Sequence, residues 1–350
     1  FSTTITGGDL GTVTVDGDAP DLASVAATDG AYGVGEVLTI TVTWDEAVVV
    51  TGTPTLTLSN TDTASYTSGT GSTALVFTTT IAEGDTDSND LSVSSFSGTI
   101  TDSAGGAAAA ASGDLGSVTV DGDAPDLVSV AATDDTYGIG ESFGITITWD
   151  EAVTVTGTPT ITLSNGAVVN YASGSGNAAL VFTETVAEGD TDSSDLSVSS
   201  YSGTITDSAG GAAAAASGDL GTVVIDGDTP DITGCTASDD TYGIGESFGI
   251  TCTFDSAVDV TGTPQITLSN SAVVNYASGT GSANLVFTET VAEGDTDSSD
   301  LTVSSISANG GSIQDAADND FSTTMTGGDL GAVVVDGDTP DITGCDATDG

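Results

Sequence analysis

The chain has 350 residues, of which 52 are Asp or Glu and none is Lys, Arg or His. No internal salt bridge can offset a formal charge of −52, so cations from solution must reduce the self-repulsion that opposes a compact state. Nucleic acid is excluded as a partner because two polyanions repel each other. Without histidine, lysine or arginine there is no catalytic triad, Schiff base or zinc site, and we expect no enzyme activity. No apolar stretch is long enough for direct membrane insertion.

A short acidic segment recurs along the chain and defines its organisation. Val-Asp-Gly-Asp-Ala-Pro-Asp at 15–21 returns at 120–126, and close variants return at 225–231 and 335–341, at spacings of 105, 105 and 110 residues. Large side chains such as Trp44, Trp149 and Phe254 keep the same spacing, which indicates core positions of a repeated unit. We therefore predict the C-terminal strand of a preceding unit (1–18), three complete units (19–123, 124–228 and 229–338) and the start of another (339–350).

Alternating apolar and polar residues predict seven strands in the first unit. They lie at about 22–27, 36–44, 54–59, 63–67, 73–82, 91–101 and 117–120, and clusters of Gly, Asp, Asn and Ser separate them. The alanine run at 107–111 shows no helix signal and predicts a loop or a packed edge. Seven short strands in about 100 residues indicate a two-sheet sandwich of immunoglobulin type. The predicted fold class is all-β, a tandem array of seven-stranded Ig-like β-sandwich domains.

Successive strands of a sandwich run in alternating directions. This strand parity places several acidic segments at the joints between units. The loop from Asp85 to Asp90 and the linker from Asp121 to Asp123 lie at the pole where the chain leaves a unit, and Asp150-Glu151 of the next unit faces them. Ca²⁺ takes six to eight oxygen ligands from carboxylates and carbonyls, and a chain without imidazole favours such hard cations. Asp and Gly also form ordinary solvated turns, and the sequence leaves that alternative open.

The predicted cofactor is therefore Ca²⁺, and the acidic sets recur in every unit. The candidate ligands are Asp16, Asp18, Asp85, Asp87, Asp90, Asp121, Asp123, Asp190, Asp192, Asp195, Asp226, Asp228, Asp295, Asp297, Asp300, Asp336 and Asp338. Asp45 and Glu46, with Asp255 in the third unit, are secondary candidates because an exposed acidic turn needs no ligand.

Two of the three cysteines predict a disulfide. Cys235 and Cys252 lie in the first two predicted strands of the third unit, where the second unit has Val130 and Ile147. Both positions are apolar and face inward; two free buried thiols, behaving as small hydrophobes, are the alternative. Cys345 occupies the position of Cys235 one unit later, and its predicted partner lies 17 residues further on, by the spacing of the first pair. A disulfide implies an oxidising extracellular compartment.

The order of motifs resembles a known family. Asp-Gly-Asp-x-Pro, Asp-x-x-Tyr-Gly-x-Gly-Glu, Trp-Asp-Glu-Ala-Val, Gly-Thr-Pro-x-Leu/Ile-Thr-Leu, Ala-Glu-Gly-Asp-Thr-Asp and Ile-Thr-Asp-Ser-Ala-Gly resemble the tandem bacterial Ig-like (cadherin-like) repeats of giant secreted surface proteins and adhesins. The resemblance covers essentially the whole chain. It departs from the family at Phe254-Asp-Ser, which replaces Trp-Asp-Glu, and in the lack of cationic residues. The lack of cationic residues suggests a marine or saline setting, or a heavily modified polymer.

The resemblance and the acidic joints together predict a structural extracellular protein at a cell surface. We expect a calcium-stiffened rod or filament segment whose partners are the neighbouring repeats and, in filaments, other copies of itself. One alternative is a self-assembling sheath, layer or pilus-like filament that uses edge-strand or donor-strand pairing. A further alternative is a glycan- or ice-binding module that uses threonine rows such as Thr39, Thr41 and Thr43, although threonine is also an ordinary solvent-facing strand residue.

Overall fold

The computed structural model describes residues 15–341 and 343–345, and every regular element among them is a β-strand. The first unit contains β1 (Leu22–Ala27), β2 (Gly30–Tyr32), β3 (Val37–Leu58), β4 (Thr63–Ser68), β5 (Ser72–Thr80), β6 (Ser92–Thr101), β7 (Gly113–Asp114) and β8 (Val118–Val120). The second contains β9 (Leu127–Ala131), β10 (Asp135–Tyr137), β11 (Ser142–Leu163), β12 (Val168–Ser173), β13 (Asn177–Thr185), β14 (Ser197–Thr206), β15 (Gly218–Asp219) and β16 (Val223–Ile225).

The third unit divides the same path into nine strands. They are β17 (Ile232–Thr236), β18 (Asp240–Gly243), β19 (Ser247–Thr261), β20 (Gln265–Leu268), β21 (Val273–Ser278), β22 (Ser282–Thr290), β23 (Val303–Ser307), β24 (Ser312–Gln314) and β25 (Val333–Asp336). The predicted all-β array of Ig-like sandwiches is confirmed. The described residues contain no helix that could cross a membrane.

In the first and second units, one long strand runs from one layer of the sandwich into the other. The first half of β3 pairs with β1 and β5, and its second half pairs with β4 and β6. Because β4 and β5 are also antiparallel to each other, the two halves of β3 must run in opposite directions. The predicted separate strands at 36–44 and 54–59 are therefore one strand that bends between them. It remains continuous because irregular pairing carries the ladder through the bend.

The sequence analysis did not predict two short strands of the first unit. β2 pairs in parallel with β8 near the end of the unit, and β7 pairs with β6. With three and two residues, they are too short to show the alternation by which a strand is recognised. They hold the first and last segments of the unit against the sandwich.

Each unit encloses its own core, built from the inward-facing residues of the two layers. Trp44, Trp149 and Phe254, predicted as core by their spacing, are 1%, 1% and 2% exposed. Burying a side chain of this size contributes roughly 1.5–3 kcal/mol. The outward-facing positions of these strands carry Thr. Apolar and polar side chains therefore alternate, as they do in half-buried strands.

The alanine runs form a packed edge beside the linker that begins each unit. Ala111 is fully buried, and the N–H of Ala109 donates to the carbonyl oxygen of Pro20 at 2.7 Å. The indole Nε1 of Trp44 donates to the carbonyl oxygen of Ala109 at 3.4 Å. The run therefore connects the linker to the core, because small side chains let the two backbones approach closely.

The third unit carries a disulfide between its first two long strands. Cys235 and Cys252 are paired in the register of β17 and β19, and their sulfur atoms are 2.03 Å apart. The second unit pairs Val130 with Ile147 at the same place. A covalent bond thus takes the position of an apolar contact. Cys345 is exposed.

We predict that reduction of the Cys235–Cys252 bond destabilises the third unit. The bonded residues are 17 positions apart, and a loop of this length gives about 3 kcal/mol in the chain-entropy model. Calorimetry with and without a reductant should show one unfolding transition moving to lower temperature.

The matched control is the double variant Cys235→Val/Cys252→Ile, which carries the residues of the second unit. Its transitions should not respond to reductant. A reductant that shifts the variant as much as the original chain would contradict the prediction.

Candidate metal centres at the joints

Loops from two successive units meet around the acidic linkers 120–126 and 225–231. We call the linkers 15–21, 120–126 and 225–231, with the loops around them, the first, second and third joints. The β5–β6 loop lies where the chain leaves the first unit. The bend of β11 and the connection from β14 to β15 lie where the chain enters the second. The alternation of strand direction thus brings separate parts of the sequence to one place.

Asp207 is the most constrained residue of the second joint. It lies just after β14 and is 3% exposed. Its Oδ1 accepts backbone hydrogen bonds from Ala209 at 2.7 Å and from Gly211 at 2.9 Å. Its Oδ2 is buried and has no hydrogen-bond partner, the only such side-chain atom in the part of the chain that the structure describes. An unpaired buried carboxylate oxygen is costly, so this atom is a candidate acceptor for a further donor or a cation.

Two further carboxylates lie close to that of Asp207. Asp121 of the linker, Glu151 of the β11 bend and Asp207 each place an oxygen within 4.8 Å of the others. Two oxygens bound to one Ca²⁺ at 2.3–2.6 Å are separated by at most about 5 Å, so the spacing fits a shared calcium ion. We call these three residues the second-joint cluster.

The first joint repeats the arrangement. Asp16, Glu46 and Asp102 satisfy the same distance limit, and Asp102 is 4% exposed. Its Oδ1 accepts hydrogen bonds from Ala104 at 2.7 Å and Gly106 at 2.9 Å, as Asp207 does. The geometry therefore belongs to the repeat.

The clustered charges change the acidity of their members. Burial raises the pKa of Glu151 to about 7, and the charges of Asp121, Asp207, Asp150 and Asp123 add to the effect. Near neutral pH the Glu151 carboxyl is therefore only partly ionised.

The same effects act on neighbouring members of both clusters. Burial is the largest cause of the raised pKa of Glu46, with repulsion from Asp16 and Asp102 next. The pKa of Asp121 is raised by burial and by the charges of Asp207 and Asp87.

A cleft of about 440 Å³ opens beside the second-joint cluster. It is lined by Glu83, Asp87, Asp121, Asp123, Ala124, Asp126, Asp150 and Glu151. These residues come from both units and from the linker, as strand parity predicts. Water and an ion can therefore reach the joint.

Each loop after the fifth predicted strand of a unit contains three aspartates, and the second of them accepts a hydrogen bond from the linker. Oδ1 of Asp87 accepts the N–H of Gly122 at 2.9 Å, and Asp192 and Asp297 bind Gly227 and Gly337 in the same way, each at 2.8 Å. The other predicted members of these loops lie apart from the clefts of the second and third joints. Asp85, Asp190 and Asp295 accept hydrogen bonds within their own turns, and Asp90, Asp195 and Asp300 line neither cleft.

The remaining predicted residues lie on the linkers themselves. In each described linker, Oδ1 of the first aspartate accepts the N–H of the second at 3.3–3.4 Å, in the pairs Asp16–Asp18, Asp121–Asp123, Asp226–Asp228 and Asp336–Asp338. After the linker with Asp336 and Asp338, residues 342 and 346–350 lie outside the described part.

Asp102 and Asp207 were not predicted as ligands. They belong to the repeated motif Ile-Thr-Asp-Ser-Ala-Gly, and strand parity already places the connection after the sixth strand where the chain enters a unit. The signal was therefore present. It was missed because a lone aspartate in a Gly-Ala loop looks like a turn former.

Comparison with known proteins adds little to this geometry. No protein-family model and no curated protein matches the chain. Among solved structures, the I9–I11 tandem from titin is similar over 89% of this chain and 98% of that one, at 8% identity and a TM-score of 0.27. A likeness of this size carries no argument about function.

We predict that calcium binding at the second joint weakens as the pH falls below about 7. Protons then compete for Glu151, whose pKa lies near that value, and a metal binds only the deprotonated ligand. Calorimetric titrations at several pH values, in buffers of different ionisation enthalpy, should show proton release that disappears in Glu151→Gln.

The calcium-free chain should show the opposite trend. A carboxyl whose folded pKa exceeds its unfolded value holds its proton more tightly when folded, so stability falls as the pH rises from about 4.5 to about 7. A calcium-free unfolding free energy that rises across this range in the original chain relative to Glu151→Gln would contradict the assignment.

Proposed function

We propose that this chain is a segment of an extracellular structural rod in which calcium holds tandem sandwiches in line. The observation that supports the proposal best is the buried carboxylate of Asp207, whose Oδ2 has no partner and which forms a cluster with Asp121 and Glu151. A chain without Lys, Arg or His has no positively charged side chain to place there.

The donor set selects the kind of ion. All candidate ligands in the second-joint cluster are oxygens, which favour Ca²⁺, Mg²⁺ or Mn²⁺ over zinc or copper. Ca²⁺ accepts irregular sets of carboxylates and carbonyls, whereas Mg²⁺ requires a near-ideal octahedron and retains its water. A linker carboxylate and two loop carboxylates from different elements suit the more tolerant ion.

The ion would connect two halves of a mechanical link. On one side, Asp87 and the backbone of Gly84 hydrogen-bond the N–H and the carbonyl oxygen of Gly122, both at 2.9 Å, which fixes the linker to the first unit. On the other side, a cation between Asp121 and the two acids of the second unit would fix the linker to that unit. Without the cation, repulsion between these carboxylates opposes the second attachment.

The disulfide and the charge support the proposed extracellular location. A disulfide in the third unit favours an oxidising compartment, and an acidic surface favours a medium rich in salt or divalent cations. Together with the resemblance to bacterial surface repeats, this supports a place at a cell surface, with neighbouring repeats as the immediate partners. We assign the chain a mechanical role and no catalysis.

We expect calcium to stiffen and stabilise the full chain. At a free concentration 100 times the dissociation constant, one site stabilises the folded state by about 2.7 kcal/mol, which raises the melting temperature of a unit of this size by on the order of 10 °C. Small-angle scattering should show a longer maximum dimension with calcium than with a chelator.

Asp207→Asn tests the site and Asp195→Asn is its matched control. Both remove one carboxylate from the second unit, but Asp195 lies outside the cluster. Only Asp207→Asn should reduce the calcium-dependent shift. An unchanged melting temperature and length with and without chelator would refute the proposed role.

A further inference from the structure

The third joint differs from the second at two positions that bear on a cation. Ser256 stands where the second unit has Glu151, and Asn319 stands where it has Gly211. The correspondence of Asn319 with Gly211 follows from hydrogen bonds. The N–H of Asn319 donates to Oδ1 of Asp315 at 3.0 Å, as the N–H of Gly211 donates to Asp207 at 2.9 Å.

The side chain of Asn319 is buried among oxygen atoms of the linker. Its Nδ2 lies 3.2 Å from the carbonyl oxygen of Asp226, 3.3 Å from Oδ1 of Asp226 and 3.2 Å from the carbonyl oxygen of Asp228. Asn319 is 3% exposed. All the neighbours of this amide nitrogen are hydrogen-bond acceptors. Its N–H groups therefore bring partial positive charge to linker oxygens that could otherwise bind a cation.

The oxygen of the same amide reaches back to the second unit. Oδ1 of Asn319 accepts the N–H of Ile139 at 2.6 Å, so one side chain binds the linker and the preceding unit together. The backbone there is close: a Cβ added to Gly138 would lie 2.6 Å from this Oδ1. Donor and acceptor partners on opposite sides fix the orientation of the amide.

The second joint has no side chain at the corresponding position, which is Gly211. A Cβ added there would contact Oδ2 of Asp207, the buried oxygen that lacks a partner. The third joint also has one carboxylate fewer, because Ser256 is neutral. Its cleft is smaller, about 250 Å³ against about 440 Å³.

We propose that the amide of Asn319 takes the place of the cation at the third joint, so that this joint is held without calcium while the second depends on it. The inference rests on the proposed function for its second half. It makes Asn319 a positioning residue that sets which joints of the rod respond to calcium.

Hydrogen exchange on the full chain tests this joint by joint. Removing calcium with a chelator should speed amide exchange in 120–126 by at least about tenfold and leave 225–231 within about twofold, because local opening controls exchange. Asn319→Gly should speed exchange in 225–231 whether or not calcium is present.

Exchanging the residues should exchange the behaviour. Asn319→Gly/Ser256→Glu gives the third joint the residues of the second, and calcium should then slow exchange in 225–231. Gly211→Asn/Glu151→Ser is the reciprocal variant, in which 120–126 should no longer respond to the chelator. Exchange in the strands β19 and β22 should remain constant and reports that the third unit is folded.

The outcomes separate the two proposals. If calcium protects 225–231 of the unaltered chain as strongly as 120–126, the amide does not replace the cation, and the inference fails while the proposed function stands. If Asn319→Gly leaves 225–231 unchanged, the amide holds nothing and the inference also fails. If neither linker responds to calcium, the proposed function fails and the inference falls with it.

Discussion

Negative charge without an internal counter-charge is the constraint on which this structure depends. Every carboxylate must find a backbone N–H, water, a proton or an ion from outside, because the chain offers no ammonium, guanidinium or imidazole group. Most acidic side chains of the joints meet this constraint through backbone donors. Oδ1 of Asp150 accepts the N–H of Asp126 at 2.9 Å, and Asp87 accepts that of Gly122. These charge-assisted hydrogen bonds shape the linkers.

Carboxylates that have too few backbone donors lie where the units meet. Asp207 uses one oxygen to close its own loop and buries the other without a donor. Its neighbours Asp121 and Glu151 increase the local charge, and burial raises the pKa of both. The fold thus places carboxylates that lack a hydrogen-bond donor at the joints between units. On the proposed function, a cation from the medium would strengthen such a joint.

The third unit shows how one repeat can modify this arrangement. A disulfide takes the position of the Val130–Ile147 contact, and Asn319 stands beside Asp315 where Gly211 stands beside Asp207. The first change replaces an apolar contact with a covalent bond, and the second adds a side-chain amide that donates hydrogen bonds to the linker. Neither disturbs the core, where Phe254 is as buried as Trp149 within a percentage point.

The sequence by itself determined the repeat, the all-β class and the convergence of acidic segments at the joints. Periodic spacing and strand alternation are local properties, and strand parity needs only the number of reversals. The tertiary structure alone decided which carboxylates meet. Asp85, Asp87 and Asp90 share one loop, yet only Asp87 binds the linker glycine, because successive side chains of a turn point in different directions. Asp207 and Asp121 are 86 residues apart by their numbers, and only the packed loops show that the first has an oxygen without a partner.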